Sequence, residues 1–171
     1  MGLAMSYLRL PPSLEGRRDP DGIAQLVFGR PDWRRRHPAD RIADVGGAWQ
    51  ALHYLITGDP WDGRPPEGDV VCGGRLLTED GTGELGMDVI YLPPERVRPV
   101  AELLAEVPFG MLAERFDAAA MAAAGVQDAD RMDADACERV LRPAYERLTR
   151  LFGAAAADGQ AVYKTMAPHA R

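Results

Sequence analysis

Lysine is nearly missing from this chain of 171 residues: of 20 basic side chains only Lys164 is a lysine, and the others are arginine. Two origins fit that ratio, an arginine-rich anion-binding surface and the coding bias of a GC-rich genome. The arginines are spread along the sequence (Arg9, Arg75, Arg115, Arg150), and alanine-rich stretches accompany them at 118–124 and 154–157. Coding bias accounts for both features together. The run Arg34-Arg35-Arg36-His37 is the local basic cluster that keeps an anion or an acidic partner in view. Serine is scarce too. Ser6 and Ser13 are the only two, and no Gly-x-Ser-x-Gly elbow occurs, so a serine-hydrolase triad has no place to form. Cys72 and Cys137 are far apart and make no Cys-x-x-Cys pair, which fits reduced structural thiols in a cytoplasmic protein. His37, His53 and His169 fall in three separate segments without a His-Glu-x-x-His motif, so neither a metal nor a cofactor is expected. No apolar run approaches the length of a membrane span, about 18 residues, and the N-terminus lacks a signal peptide's basic and apolar regions. A net charge of −6 argues against nucleic acid, whose phosphates call for a basic surface.

What is present reads as one soluble domain over residues 1–171, with 46% hydrophobic and 27% charged residues. Met5 to Leu10 reads as a strand stopped by Pro11-Pro12. Pro20 to Phe28 has helical spacing at Ile23, Leu26 and Val27, closed by Gly29. Asp44 reads as the N-cap of a helix running through Ala48 to Ile56, with Gly58 at its C′ position. Residues 59–69 are an irregular Pro/Gly connection. Val70-Val71-Cys72 is a buried strand or the end of a turn, and Glu79 to Gly86 is an acidic Gly-rich loop. A strand at Met87–Leu92 leads through Pro93-Pro94 into a helix to Val107. A second helix is expected over Phe109–Ala124, and a long one from Asp133 or Asp135 to Ala157, bent or broken at Pro143. Ala161–Met166 is the last strand. The fold class is α+β, a small mixed sheet of N-terminal, middle and C-terminal strands packed with about five helices.

One helix face gathers the most chemistry. Trp49, His53 and Thr57 recur at four-residue spacing and therefore point the same way, with Gly58 and Asp59 at the helix end. His53 reads either as a core histidine bonded to backbone or as a functional imidazole. A ligand pocket is expected where this face meets Gly73-Gly74: Trp49 supplies an apolar wall, His53 a polar anchor, and Thr57, Gly58 and Asp59 the rim. The favoured role is binding of a protein partner or a small ligand. The alternative is a small hydrolase or transferase with His53 as general base, oriented by Asp59 or Asp44. The remaining glycine pairs, Gly46-Gly47 and Gly81-Thr82-Gly83, read as turns, lacking dinucleotide or phosphate-loop spacing. The acidic run Asp128, Asp130, Asp133, Asp135 reads as helix capping.

The segment Ala48-Trp49-Gln50-Ala51-Leu52-His53-Tyr54-Leu55-Ile56-Thr57-Gly58 resembles the Trp-x-x-Leu-His-x-x-Leu-Thr-Gly helix of the YfbM-like bacterial proteins of unknown function. The opening Met5-Ser6-Tyr7-Leu8-Arg9-Leu10-Pro11-Pro12, the Val71-Cys72-Gly73-Gly74 segment and Tyr91-Leu92-Pro93-Pro94-Glu95-Arg96-Val97 resemble further parts of that family, so the likeness covers nearly the whole chain. It departs at Gly86-Met87-Asp88-Val89, where the family tends to carry a Gly-Pro-Arg-like turn, and it lacks a Tyr-Pro then Trp pattern before the last helix. The resemblance implies a compact single-domain fold and supplies no activity, cofactor or catalytic residue.

Overall fold

The computed structural model describes residues 2–12, 19–78 and 85–168. Ser13, His169, Gly81-Thr82-Gly83 and most of the expected acidic loop lie outside the described residues. The two terminal strands, β1 (Leu3–Leu10) and β5 (Ala161–Pro168), pair along their whole length, from Leu3 opposite Pro168 to Leu10 opposite Ala161. They form the middle of a five-stranded sheet in the order β2–β1–β5–β4–β3, with β2 at Ile42–Gly46, β3 at Arg75–Thr78 and β4 at Asp88–Leu92. Every neighbouring pair is antiparallel, which corrects the expected mixed sheet. The terminal strands run in opposite directions, and each remaining strand adds antiparallel at an edge, so no parallel crossover is required.

Strands β2 and β3 are additions to the expectation. Ile42-Ala43-Asp44-Val45 alternates, with Ala43 and Val45 buried and Asp44 exposed, so Asp44 is a strand residue and does not cap a helix. The helix starts later: α2 spans Trp49–Thr57. Val70 and Val71 end the short helix α3 (Glu67–Val70) and enter a turn, one of the two forms expected for that run.

Helix α1 (Pro20–Phe28) packs Ile23, Ala24, Val27 and Phe28 on one sheet face, where Leu8, Val89 and Tyr163 meet them; Trp33 closes this layer edge-on against Phe28 at 4.9 Å. The other face carries the larger core. There α2, α4 (Pro94–Glu106) and α8 (Arg142–Ala157) cover Met5, Tyr7, Val45 and Val162. The helix expected over 109–124 is two pieces, α5 (Phe109–Ala113) and α6 (Ala118–Ala123), because Asp117 turns out of the helix and accepts from the Ala120 N–H. Asp133 caps α7 (Ala134–Ala136) in the same way. The expected break at Pro143 takes the form of a π turn over Cys137–Leu141, in which the Arg142 N–H reaches Cys137 O, and α8 then starts with proline in its first turn.

Candidate functional site

Helix α2 ends at Gly58, whose φ of 84° places it in the left-handed region, and its N–H closes on Tyr54 O. Only a glycine or a polar turn residue takes that conformation cheaply, so the chain leaves the helix sharply here. Two side chains then fix the loop that follows. The Thr57 hydroxyl donates to His53 O at 2.8 Å and accepts the Asp59 N–H at 3.1 Å. The Asp59 carboxylate accepts from the Trp61 and Asp62 N–H groups at 2.8 and 2.7 Å, and these bonds hold its pKa below the ordinary value. Beneath the loop, the fully buried His53 ring bonds through Nε2 to Asp62 O at 3.1 Å. A carbonyl only accepts, so Nε2 carries the proton, and Nδ1 is left buried without a partner among the described residues. Burial pulls the His53 pKa down, with the Asp62 carbonyl opposing and the Lys164 charge adding to the fall, so the ring is neutral at neutral pH.

All of this supports one exposed residue. The Trp61 indole is 54% exposed, yet it rests on Trp49 with ring centroids 5.2 Å apart. Trp49 is itself buried and anchored by its Nε1–H to Leu3 O at 3.0 Å. Trp49, His53, Thr57, Gly58 and Asp59 therefore come together as expected from their spacing, and what they organise is the 59–62 loop. Trp61 is the functional candidate that sequence reasoning missed. The signal available was a tryptophan in a Pro/Gly connection with no periodic partner.

Gly73 and Gly74 belong to a second, adjoining arrangement. The alternation Val162, Lys164, Met166 points the sole lysine at the larger core, and it is fully buried. Its ammonium donates to Asp69 O at 2.5 Å, Val71 O at 2.9 Å and Gly73 O at 2.7 Å. Tyr7 donates its hydroxyl to Val70 O in the same turn, and Arg96 pairs with the buried Asp69 carboxylate through Nε and Nη2. Three N–H donors meeting three carbonyls at the end of α3 is a complete match. Burial still pulls the lysine pKa down to about 7, with Asp69 and Cys72 opposing. Burial likewise pushes the Cys72 thiol up to about 11, so it is no nucleophile. Gly73 has no room for a side chain: a Cβ there collides with Asp69 Oδ1 and lies 2.8 Å from Gly68 O. Gly73→Ala is expected to lower the midpoint of urea unfolding without changing its slope, since the Asp69–Arg96 pair must shift to admit the methyl group.

Of the basic run, Arg34 is tied to its surroundings. Arg34 stacks over Trp33 at 4.6 Å, donates to Ser6 Oγ at 2.5 Å and lies 3.6 Å from Asp44 Oδ2. Both cysteines are free, and no group of three or more potential metal ligands occurs among the described residues. No helix among them is long and apolar enough to cross a membrane. Three cavities formed by described residues are lined by none of Trp49, His53, Thr57, Gly73 and Gly74. One of about 120 Å³ sits between α2, α4 and α5, one of about 380 Å³ lies beside α8, and one of about 370 Å³ is floored by Ser6 and Thr165.

A family model described as a domain of unknown function, DUF1877, matches residues 1–165. The chain belongs to the DUF1877 family. The crystal structure of YfbM, a protein of unknown function from Escherichia coli, is similar to it with a TM-score of 0.65 over 95% of this chain and 99% of that one. The identity is 13%, so this similarity shows a shared fold. No curated protein matches the sequence.

Proposed function

We propose that this DUF1877 domain is a protein-binding module whose anchor is Trp61. The observation that carries the reading is an exposed indole on a loop whose backbone is fixed by Asp59, Thr57 and His53 and whose underside is fixed by Trp49. Tryptophan is the side chain most enriched where interfaces concentrate their energy. Holding it in place before contact removes much of the ordering cost of association. The expected pocket residues then act as the platform beneath the anchor. The partner needs an apolar pocket that admits an indole, bordered by groups compatible with Asp59, Asp62 and Arg64 at the loop's edge. The two free thiols fit a reducing, cytoplasmic setting.

The hydrolase or transferase alternative has weaker support. His53 is enclosed and spends Nε2 on backbone, and the Asp59 oxygen nearest the loop is occupied by two N–H groups. A test of the binding reading is affinity capture from a lysate of the native cell, with wild type and Trp61→Ala as parallel baits. Trp61→Ala is expected to fold normally and to lose a partner that wild type retains. Equal recovery of every captured protein by both baits counts against the proposal.

A further inference from the structure

The cavity beside α8 has a charge distribution unlike the rest of this acidic chain. It holds about 380 Å³ and is lined by Arg9, Asp40, Arg147 and Arg150 over an apolar floor of Ile42, Leu151 and Ala154. Its one lining acid, Asp40, is engaged through Oδ2 by Arg9. Arg9 is buried and bonds Asp40 Oδ2 at 2.8 Å, Asp158 Oδ2 at 2.8 Å and Gln160 Oε1 at 2.7 Å. Arg147 gives Nε to Asp44 O at 3.1 Å, which turns the guanidinium across the β2 edge and leaves both terminal nitrogens uncommitted among the described residues. Arg150 makes no hydrogen bond or ion pair among those residues, although Glu146 stands four positions before it, the favoured spacing for a helical ion pair. Glu146 instead acts on Arg142. Elsewhere along this part of the chain the arginines do pair at that spacing, Arg139 with Asp135 and Arg142 with Glu138. Two guanidinium groups three residues apart thus share one helix face and one concavity, and the acid lining that concavity, Asp40, pairs with Arg9 and with neither of them.

We infer that this cavity binds the phosphate group of a small phosphate monoester, with Arg147 and Arg150 as its clamp and Ile42, Leu151 and Ala154 as the seat for the organic part. Guanidinium forks match a phosphate's oxygens in charge and geometry. The volume falls within the range of small-molecule sites. The hydrophobic floor distinguishes an ester from the free ion. The site shares no residue with the Trp61 platform and does not depend on its role.

The test uses phenyl phosphate and inorganic phosphate as probes, titrated into the full chain at low salt and followed by backbone amide shifts. Saturable shifts are expected at residues 39–42 and 147–154, with phenyl phosphate binding the tighter of the two. Arg147→Gln and Arg150→Gln, both at exposed positions, should each weaken binding about tenfold or more while the thermal midpoint stays put. Arg139→Gln, on the same stretch of chain but outside the cavity, should change nothing. The inference is overturned if neither probe binds, if inorganic phosphate binds as well as the ester, or if binding survives in the Arg147→Gln/Arg150→Gln double variant.

Discussion

Lys164→Met is expected to lower the unfolding free energy by about 3 kcal/mol, a drop of about 10 °C in the thermal midpoint for a chain of this length. The substitution keeps the unbranched side chain out to Cε and removes all three donors, so the carbonyls of Asp69, Val71 and Gly73 lose their partner together. Each buried acceptor left unmade costs about 1–3 kcal/mol. Relief from burying an ammonium offsets part of this, as it does when buried ion pairs are replaced by apolar groups. The stranded carbonyls outweigh that relief because they belong to a tight turn that cannot rotate them to water. Urea unfolding of the variant is the check, and a midpoint equal to wild type would mean that the turn holds itself.

The same lysine gives wild type a pH signature. In the unfolded chain it keeps its proton up to its ordinary value of 10.5, whereas in the fold it releases it near 7. Between those values the unfolded state binds more protons, so this group makes stability rise with pH. Cys72 opposes the rise above pH 9, its ordinary value, because the folded thiol holds its proton to about 11 while the unfolded thiol ionises first. Tyr7, raised by burial, opposes it at still higher pH. The window from about 7 to 9 therefore belongs to Lys164. Stability measured across it should climb in wild type and stay level in Lys164→Met.

Trp49→Ala carries the other large effect. Emptying a fully buried tryptophan site costs about 3–5 kcal/mol. Here the indole is buried in the main core, bonded to Leu3 O, and in contact with Trp61. The variant should be destabilised by that amount in chemical unfolding, and the 59–62 loop should exchange its amide protons faster than global unfolding explains. Trp61→Ala should do neither, since its side chain is more than half exposed. If the two substitutions proved equally destabilising, Trp61 would be a core residue and its role as a presented anchor would fail.

The contrast explains what the sequence could convey. Helices α1, α2 and α4 were legible because their apolar residues recur at helical spacing and Pro or Gly marks their ends. Strands β1, β4 and β5 were legible because their apolar runs end at prolines, a glycine or the chain terminus. β2 was not: Asp44 faces outward midway along a short strand, just before Gly46-Gly47, which is also how a helix start reads. The residues of the α2 face announced their shared direction by spacing alone. Their purpose was hidden, because Trp61 owes its exposure to a loop folded back over His53. Lys164 was hidden for a related reason. A lysine in a strand normally marks solvent, and only the pairing of β5 between β1 and β4 places it under three carbonyls.

The measurement that bears most directly on the Trp61 anchor is the affinity of Trp61→Ala for the partner that wild type captures, with the thermal midpoint read on the same preparation. The account predicts an unchanged midpoint and a loss of about thirtyfold or more in affinity, the mark of a central interface tryptophan. Undiminished affinity at an unchanged midpoint would contradict it.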